Sequence, residues 1–452
     1  MTPPGGTGTG PGQAADMIDL PHACRGRYQP GIMTTSSPPP DRAPAGDAVH
    51  RRADRRAWLA PGVAGFVGIL LVAAALRSPI TGVGPLLATI RADVGLSATG
   101  AGVLSMLPLL AFAAVAPLTP AVGRRLGVER ALGGALVVLV GGMLLRSTPG
   151  TLPLFAGTVV IGAAIGLVNV LLSGLVKRDY PDRVALVTGV YTTVMATFAM
   201  LASGLAVPVA DTAPGGWRTS LVVWVVVAAV AAVPWLRRPS TRPGASPSLP
   251  PATPAAGGPT LWRSPLAWQL TVFFGLQSAG FYIAISWLAT ILHSRGMGMA
   301  AAGWHVALMQ TAGLLASAAT PAIVRRRPDQ SLFATGAAVL GVISYLGLLA
   351  APGFALGWSV TVGLSQGASI TLALSFFALR ARDAHQAAAL SGMGQSVGYL
   401  VSASGPLLFG VLYDQTGGWT APLLFVATLV AAQAMLAFGA GRARHVGGGR
   451  GE

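Results

Sequence analysis

Twelve long apolar runs separated by short polar gaps dominate the chain. They fall near residues 61–90, 98–121, 131–147, 152–176, 184–209 and 217–236, then near 265–292, 300–324, 331–350, 354–378, 387–412 and 419–439. A helix needs roughly 20 mainly apolar residues to cross the hydrocarbon of a bilayer. The pattern therefore predicts an all-α polytopic membrane protein with twelve transmembrane helices. Between the sixth and seventh runs lies Arg237–Thr260, rich in Pro, Ser, Ala and Gly, which reads as a flexible linker. The expected organisation is a disordered tail over 1–56, a six-helix half over 57–236, the linker over 237–260, a second six-helix half over 261–441, and a short tail over 442–452.

The two halves repeat one another. Leu87-Ala88-Thr89-Ile90 recurs 201 residues later as Leu288-Ala289-Thr290-Ile291, and at the same offset Gly95 and Gly102 recur as Gly296 and Gly303. Thr119-Pro120-Ala121-Val122-Gly123-Arg124-Arg125 recurs as Thr320-Pro321-Ala322-Ile323-Val324-Arg325-Arg326, five identities in seven positions held in that register. Asp211 with Gly216-Trp217 is echoed by Asp414 with Gly418-Trp419. Compositional coincidence between apolar helices does not keep register in this way. The halves are expected to be pseudo-symmetric six-helix bundles related by an axis along the membrane normal.

Composition sharpens the class. Hydrophobic residues make up 53% of the chain and charged residues only 10%, against about 25% charged in soluble proteins, which excludes a soluble enzyme. The net charge of +16 would suggest nucleic acid in a soluble chain, but here the arginines mark topology and no nucleic-acid partner is expected. One set of gaps holds Arg51, Arg52, Arg55, Arg56, Arg124, Arg125, Arg130, Lys177, Arg178 and Arg183. It continues with Arg237, Arg238, Arg242, Arg263, Arg325, Arg326, Arg327, Arg380, Arg382, Arg442 and Arg444. The other set holds Arg91, Arg146, Arg218 and Arg295, a bias of about five to one. Both termini are thus expected in the cytoplasm, in a multi-pass protein of the cytoplasmic (inner) membrane with the lipid bilayer as its main partner. Trp58, Trp217, Trp235 and Trp419 suit the interfacial belt. Cys24 is the single cysteine, so no disulfide or thiolate metal site forms within the chain. No signal peptide is expected before the first run, and Met17 and Met33 are alternative starts.

Polar residues inside spans are costly and mark cavities. Arg77, in Ala75-Leu76-Arg77-Ser78-Pro79, lies deep in the first run with no acidic residue in any span interior to neutralise it. Pro79 also removes a backbone donor one turn beyond Ala75. Arg77 reads either as a binding group for an anionic or electron-rich solute or as a fastener to neighbouring helix carbonyls. Further candidates for the solute path are Asn169, which shares one helix face with Gly162, Gly166 and Ser173, and Gln277 and Ser278, the repeat counterparts of Leu76 and Arg77. Gln310, Gln366, Gln395 and Tyr399 are candidates to add amide and hydroxyl contacts, and Tyr191 and Trp287 to add aromatic walls. Helix packing is the alternative for each. Span interiors hold no deep titratable group; His305 and His293 lie toward one mouth, so protons are a candidate coupling ion, with uniport or exchange the alternatives. There is no phosphate-binding Gly-rich signature and no paired ligands at metal spacing, so no cofactor is expected.

Leu76-Arg77-Ser78-Pro79-Ile80-Thr81-Gly82-Val83-Gly84-Pro85-Leu86-Leu87 resembles the first-helix signature of the cyanate and nitroimidazole transporter (CynX/NimT) family of the major facilitator superfamily. So do Leu175–Arg183 with Thr188-Gly189-Val190-Tyr191, and Phe274–Ser278 with Phe281-Tyr282. The resemblance runs from about Ala57 to Gly441. It implies the major facilitator fold and alternating-access transport of a small anion or heteroaromatic solute, by uptake or efflux; the alternatives are a toxic-compound efflux carrier of the same fold and a transport-inactive sensor. Because one chain holds both halves, a monomer is expected. The superfamily usually places an acidic residue before Arg-x-Gly in the loop after the second helix, whereas here Arg124 precedes Arg125-Leu126-Gly127. Arg124, Arg125 and their repeats Arg325 and Arg326, with Asp179 and Asp182, are therefore gating candidates, with Glu129 as a further partner; solvated topology markers are the alternative.

Overall fold

Helices cover nearly every stretch that the apolar runs mark. The computed structural model describes residues 63–238, 259–326 and 329–446. The expected tail over 1–56, most of the linker, Cys24 and the last residues of the chain lie outside the described residues. Span one is Val63–Thr81 continued by Val83–Val94; span two is Ala98–Val115 continued by Thr119–Leu126; spans three to five are Val128–Arg146, Thr151–Asp179 and Val184–Thr212. Span six joins Trp217–Val222 to Val225–Arg237. Spans seven to twelve are Pro265–Ser294, Met299–Val324, Ser331–Ala350, Ala355–Leu379, Ala384–Thr416 and Thr420–Ala440. Among the described residues, twelve helices are long and apolar enough to cross a membrane, and their limits lie within a few residues of the apolar runs.

Three spans are interrupted where the sequence pattern ran on. Span one breaks at Gly82, three residues past Pro79. Span two passes through a 3-10 turn at Ala116–Leu118 that contains Pro117, and span six breaks at Val223 and Trp224. Proline lacks the N–H that an α-helix uses one turn back: Pro85 leaves the Thr81 carbonyl without that donor at the first break, where the Ser203 hydroxyl donates instead, and Pro117 and Pro120 remove donors around the second. Hydropathy is blind to all three, because the residues at the breaks remain apolar or small.

Packing follows the repeat. Span one lies on five as seven lies on eleven; two lies on four as eight lies on ten; three lies on six as nine lies on twelve. The halves meet through spans two and eleven, five and eight, and the second segment of span one against span seven. Lipid tails are as apolar as leucine, so such contacts depend on close backbone approach at small residues. The repeated glycines serve this purpose: a Cβ on Gly102 would stand 2.6 Å from the Pro406 carbonyl oxygen of span eleven, and one on Gly303 would stand 3.1 Å from the Ser203 carbonyl oxygen of span five. Gly95 and Gly296, the other repeated pair, end spans one and seven with φ of +71° and +92°, a conformation that favours glycine at a helix C-terminus.

Candidate functional site

Arg77 sits at mid-span on the segment that Gly82 terminates. Its guanidinium is half-buried, and among the described residues it has neither a hydrogen bond nor an ion pair. It lies within electrostatic reach of the Tyr399 hydroxyl on span eleven, as does Tyr282 on span seven. The Tyr399 ring meets Phe112 of span two edge-on at 6.0 Å and Phe274 of span seven at 5.4 Å. A free cation thus stands within electrostatic reach of Tyr399, whose ring packs on aromatic groups from both halves.

The backbone around Arg77 is braced. Thr81 donates its hydroxyl to the carbonyls of Arg77 and Ala199, both at 3.1 Å; Ser203 donates to the Thr81 carbonyl at 3.1 Å; and Gln310 donates from Nε2 to the Ser203 hydroxyl at 2.8 Å. This buried chain runs from span one through five to eight, so the turn that carries Arg77 is coupled to the opposite half. Gln310 acts through this chain.

The other sequence candidates divide by what they touch. Gln277 donates to the side-chain oxygen of Gln366 at 3.2 Å and Ser278 donates to Gln277 at 3.2 Å, all three buried, so these groups bond one another between spans seven and ten. Trp287 is wholly buried against Phe409 and Trp419, with the Arg91 guanidinium 6.0 Å from its ring. Gly162 and Gly166 pack on Pro108 and Phe112 of span two, while Asn169 and Ser173, farther along that face, are exposed. Tyr191 is half-buried; Gln395 is exposed and donates to Ser391 at 2.8 Å. His305 shares a hydrogen bond with Ser359 at 3.1 Å.

At the end of the spans rich in arginine, Arg178 holds Glu129 at 2.7 Å and Asp179 at 2.6 Å, all within the first six spans. The partner of Asp179 and Glu129 here is Arg178, while Arg124, Arg125, Asp182, Arg325 and Arg326 are exposed and, among the described residues, form no ion pair. Arg380 ties spans nine, ten and twelve through the Gln330 side chain at 2.5 Å and the Gly441 carbonyl at 2.8 Å, and its burial pulls it below the ordinary arginine value.

Contacts that cross between the first six and last six spans, among the described residues, run from mid-span to the arginine-poor end. Asp414 of span eleven accepts from the Ala98 and Thr99 backbone N–H groups at 2.9 and 2.7 Å, capping span two from the opposite half. Arg91 of span one lies 5.7 Å from the Tyr413 ring. The structure is thus closed at this end. Removing a cap carboxylate costs about 1 kcal/mol, so Asp414→Ala is expected to raise maleimide labelling of a cysteine placed at Ser105 about fivefold. Asp414→Asn should fall between; unchanged labelling in both would remove Asp414 from the closure.

One residue escaped the sequence reading. Arg146 ends span three and reads there as a loop arginine of the arginine-poor end, yet it is 1% exposed. Nη1 donates to the Pro79 carbonyl at 2.6 Å, and Nε and Nη2 have no partner among the described residues. The available signal was its direct attachment to an apolar run beside a loop, Ser147–Gly150, that contains no acid.

Residues 66–406 match the model of the Major Facilitator Superfamily. The chain is 42% identical to the 2-nitroimidazole transporter of Escherichia coli (strain K12), over 84% of this chain and 96% of that one. It is 41% identical to the transporter YycB of Bacillus subtilis (strain 168), over 88% and 96%. Identity to the cyanate transport protein CynX of Escherichia coli (strain K12) is 26%, over 80% and 93%. Among solved structures, the D-xylose-proton symporter superposes with a TM-score of 0.67 at 14% identity, covering 83% of this chain and 96% of that one.

Proposed function

The chain belongs to the Major Facilitator Superfamily, as a secondary transporter similar to the 2-nitroimidazole and cyanate transporters and not an enzyme, and on that premise we propose that it carries a small anionic or heteroaromatic solute and binds it at Arg77. The observation that carries this reading is a guanidinium at mid-span with no partner among the described residues, within electrostatic reach of Tyr399 in the other half. An arginine at that depth costs about 2.5–3.5 kcal/mol even on a mild scale, and a water-lined cavity or an anion offsets the cost. A guanidinium is planar, stays charged, pairs bidentately with carboxylate-like groups and stacks on aromatic rings. A cyanate-like anion uses its charge and N–H edge, and a nitro-substituted ring uses both the edge and the stacking face.

In this reading the halves 57–236 and 261–441 rock about the site in the cytoplasmic membrane, joined by 237–260, with both termini in the cytoplasm. The arginine-poor end then faces outward, and the structure is the state closed to the outside. The chain works as a monomer. Arginine does not release its proton, so any coupled proton rides on the solute or on a group at the rim.

The test is uptake of labelled cyanate, 2-nitroimidazole and small carboxylates into proteoliposomes. Arg77→Ala and Arg77→Lys should both lose flux, by about ten- to a hundredfold, the value of a charge-assisted bidentate contact. Undiminished flux in a well-folded Arg77→Ala would make the arginine a fastener and move the search to Asn169 and Gln395.

A further inference from the structure

A cavity with about 30 Å³ of room lies between span one and spans two, three, four, six and seven, on the arginine-poor side of Arg77. Its lining includes Arg146, Tyr282, Ser286, Ser105 and Thr158, and no acidic residue. Ser105 and Thr158 already donate their hydroxyls to the Ala101 and Leu154 carbonyls of their own helices, at 3.0 and 2.7 Å. The groups left to act are donors: Nε and Nη2 of Arg146, which lack partners in the protein, and the hydroxyls of Tyr282 and Ser286. A buried cation with two spare donor nitrogens, hydroxyl donors and no counter-charge has the chemistry of an anion site.

We propose that Arg146 and the cavity it lines form a second solute subsite, which takes a small linear or planar anion, cyanate- or nitrate-sized, beyond the site at Arg77. The room corresponds to about two or three water-sized positions, enough for an anion of three or four heavy atoms and too small for a substituted ring. Tyr282 lines the cavity and also stands within electrostatic reach of Tyr399, which is itself within reach of Arg77. Arg146 further binds the carbonyl of Pro79, two residues from Arg77. An anion at Arg146 therefore acts on the hinge of span one that carries the first arginine. The subsite extends the reading given for Arg77 without depending on it.

The test is anion-dependent thermal stabilisation of the purified full chain in nanodiscs, titrated with sodium cyanate and sodium nitrate, with gluconate as the bulky control. Native protein and Arg77→Ala should both be stabilised by the two small anions and not by gluconate. In the Arg77→Ala background, adding Arg146→Gln should lower the apparent affinity at least about tenfold, the loss expected when one partner of a buried charge contact goes. Should that double variant fail to fold, Ser105→Leu in the same background fills the cavity with Arg146 intact and should abolish the response. No response in native protein, or a full response in either double variant, overturns the proposal. A response lost in Arg77→Ala and kept in Arg146→Gln also overturns it, placing the anion at Arg77 and leaving the proposed function standing.

Discussion

Gly84→Val is expected to hold the protein open at its arginine-poor end and to abolish net transport while the helices stay folded. A Cβ at this position would stand 1.9 Å from the carbonyl oxygen of Ile285, 3.0 Å from its carbonyl carbon and 3.3 Å from Cα of Ser286. All three atoms are backbone of span seven, so no side chain can swing aside. The clash disappears only if span one and span seven separate, and that separation is the opening of this end. Overpacking of this kind costs about 1–3 kcal/mol, which moves a two-state population by roughly five- to 150-fold. In a Cys24→Ser background, labelling of Ser105→Cys by an impermeant maleimide should rise by a factor in that range, and solute flux should collapse because the closed state is no longer reached. Gly134→Val is the control: its Cβ would meet nothing within 4 Å, and it should leave labelling and flux unchanged. If Gly84→Val behaves like Gly134→Val, the close approach is not what sets the conformational balance.

That close approach was only partly legible in the sequence. The repeat singled out Gly102 and Gly303, and the structure gives the reason: each lets a span of one half touch the other half. Gly84 lies in the stretch that carries the family resemblance, but nothing in its neighbours says that Ile285 will cover it. Span number, span limits and the pairing of the two halves were legible because hydropathy and register are properties of a single strand of text. The partners of polar groups were not. Gln277 and Gln366 are 89 residues apart and their amides meet at 3.2 Å, a fact set by how span seven crosses span ten. Arg77 was legible as a misfit because a charge at mid-run is visible without knowing its neighbours. Arg146 was not, because a charge at the end of a run looks like the many that face water. Arg218, on the same side, shows how misleading the resemblance is: it pairs with Asp93 at 2.9 Å, while Arg146 has only a carbonyl.

Arg146→Met is expected to raise the melting temperature of the protein in anion-free buffer while lowering cyanate transport at least about tenfold. These two effects point in opposite directions, and that is what makes the variant informative. A guanidinium buried to 1% exposure with two unbonded nitrogens carries an uncompensated desolvation cost of several kcal/mol. Methionine fills a similar volume without charge and adapts to an irregular site. The substitution forfeits the bond to the Pro79 carbonyl, a loss of about 1.5–3 kcal/mol for a charged donor, which is smaller than the cost it removes. A group kept at the expense of stability has another role, and here the role is to hold the anion that the cavity admits. Arg146→Lys keeps the charge without the planar fork and should transport weakly, since an ammonium binds as a point charge. A melting temperature that falls in Arg146→Met, with transport intact, would instead make Arg146 a fastener of span three to the hinge of span one.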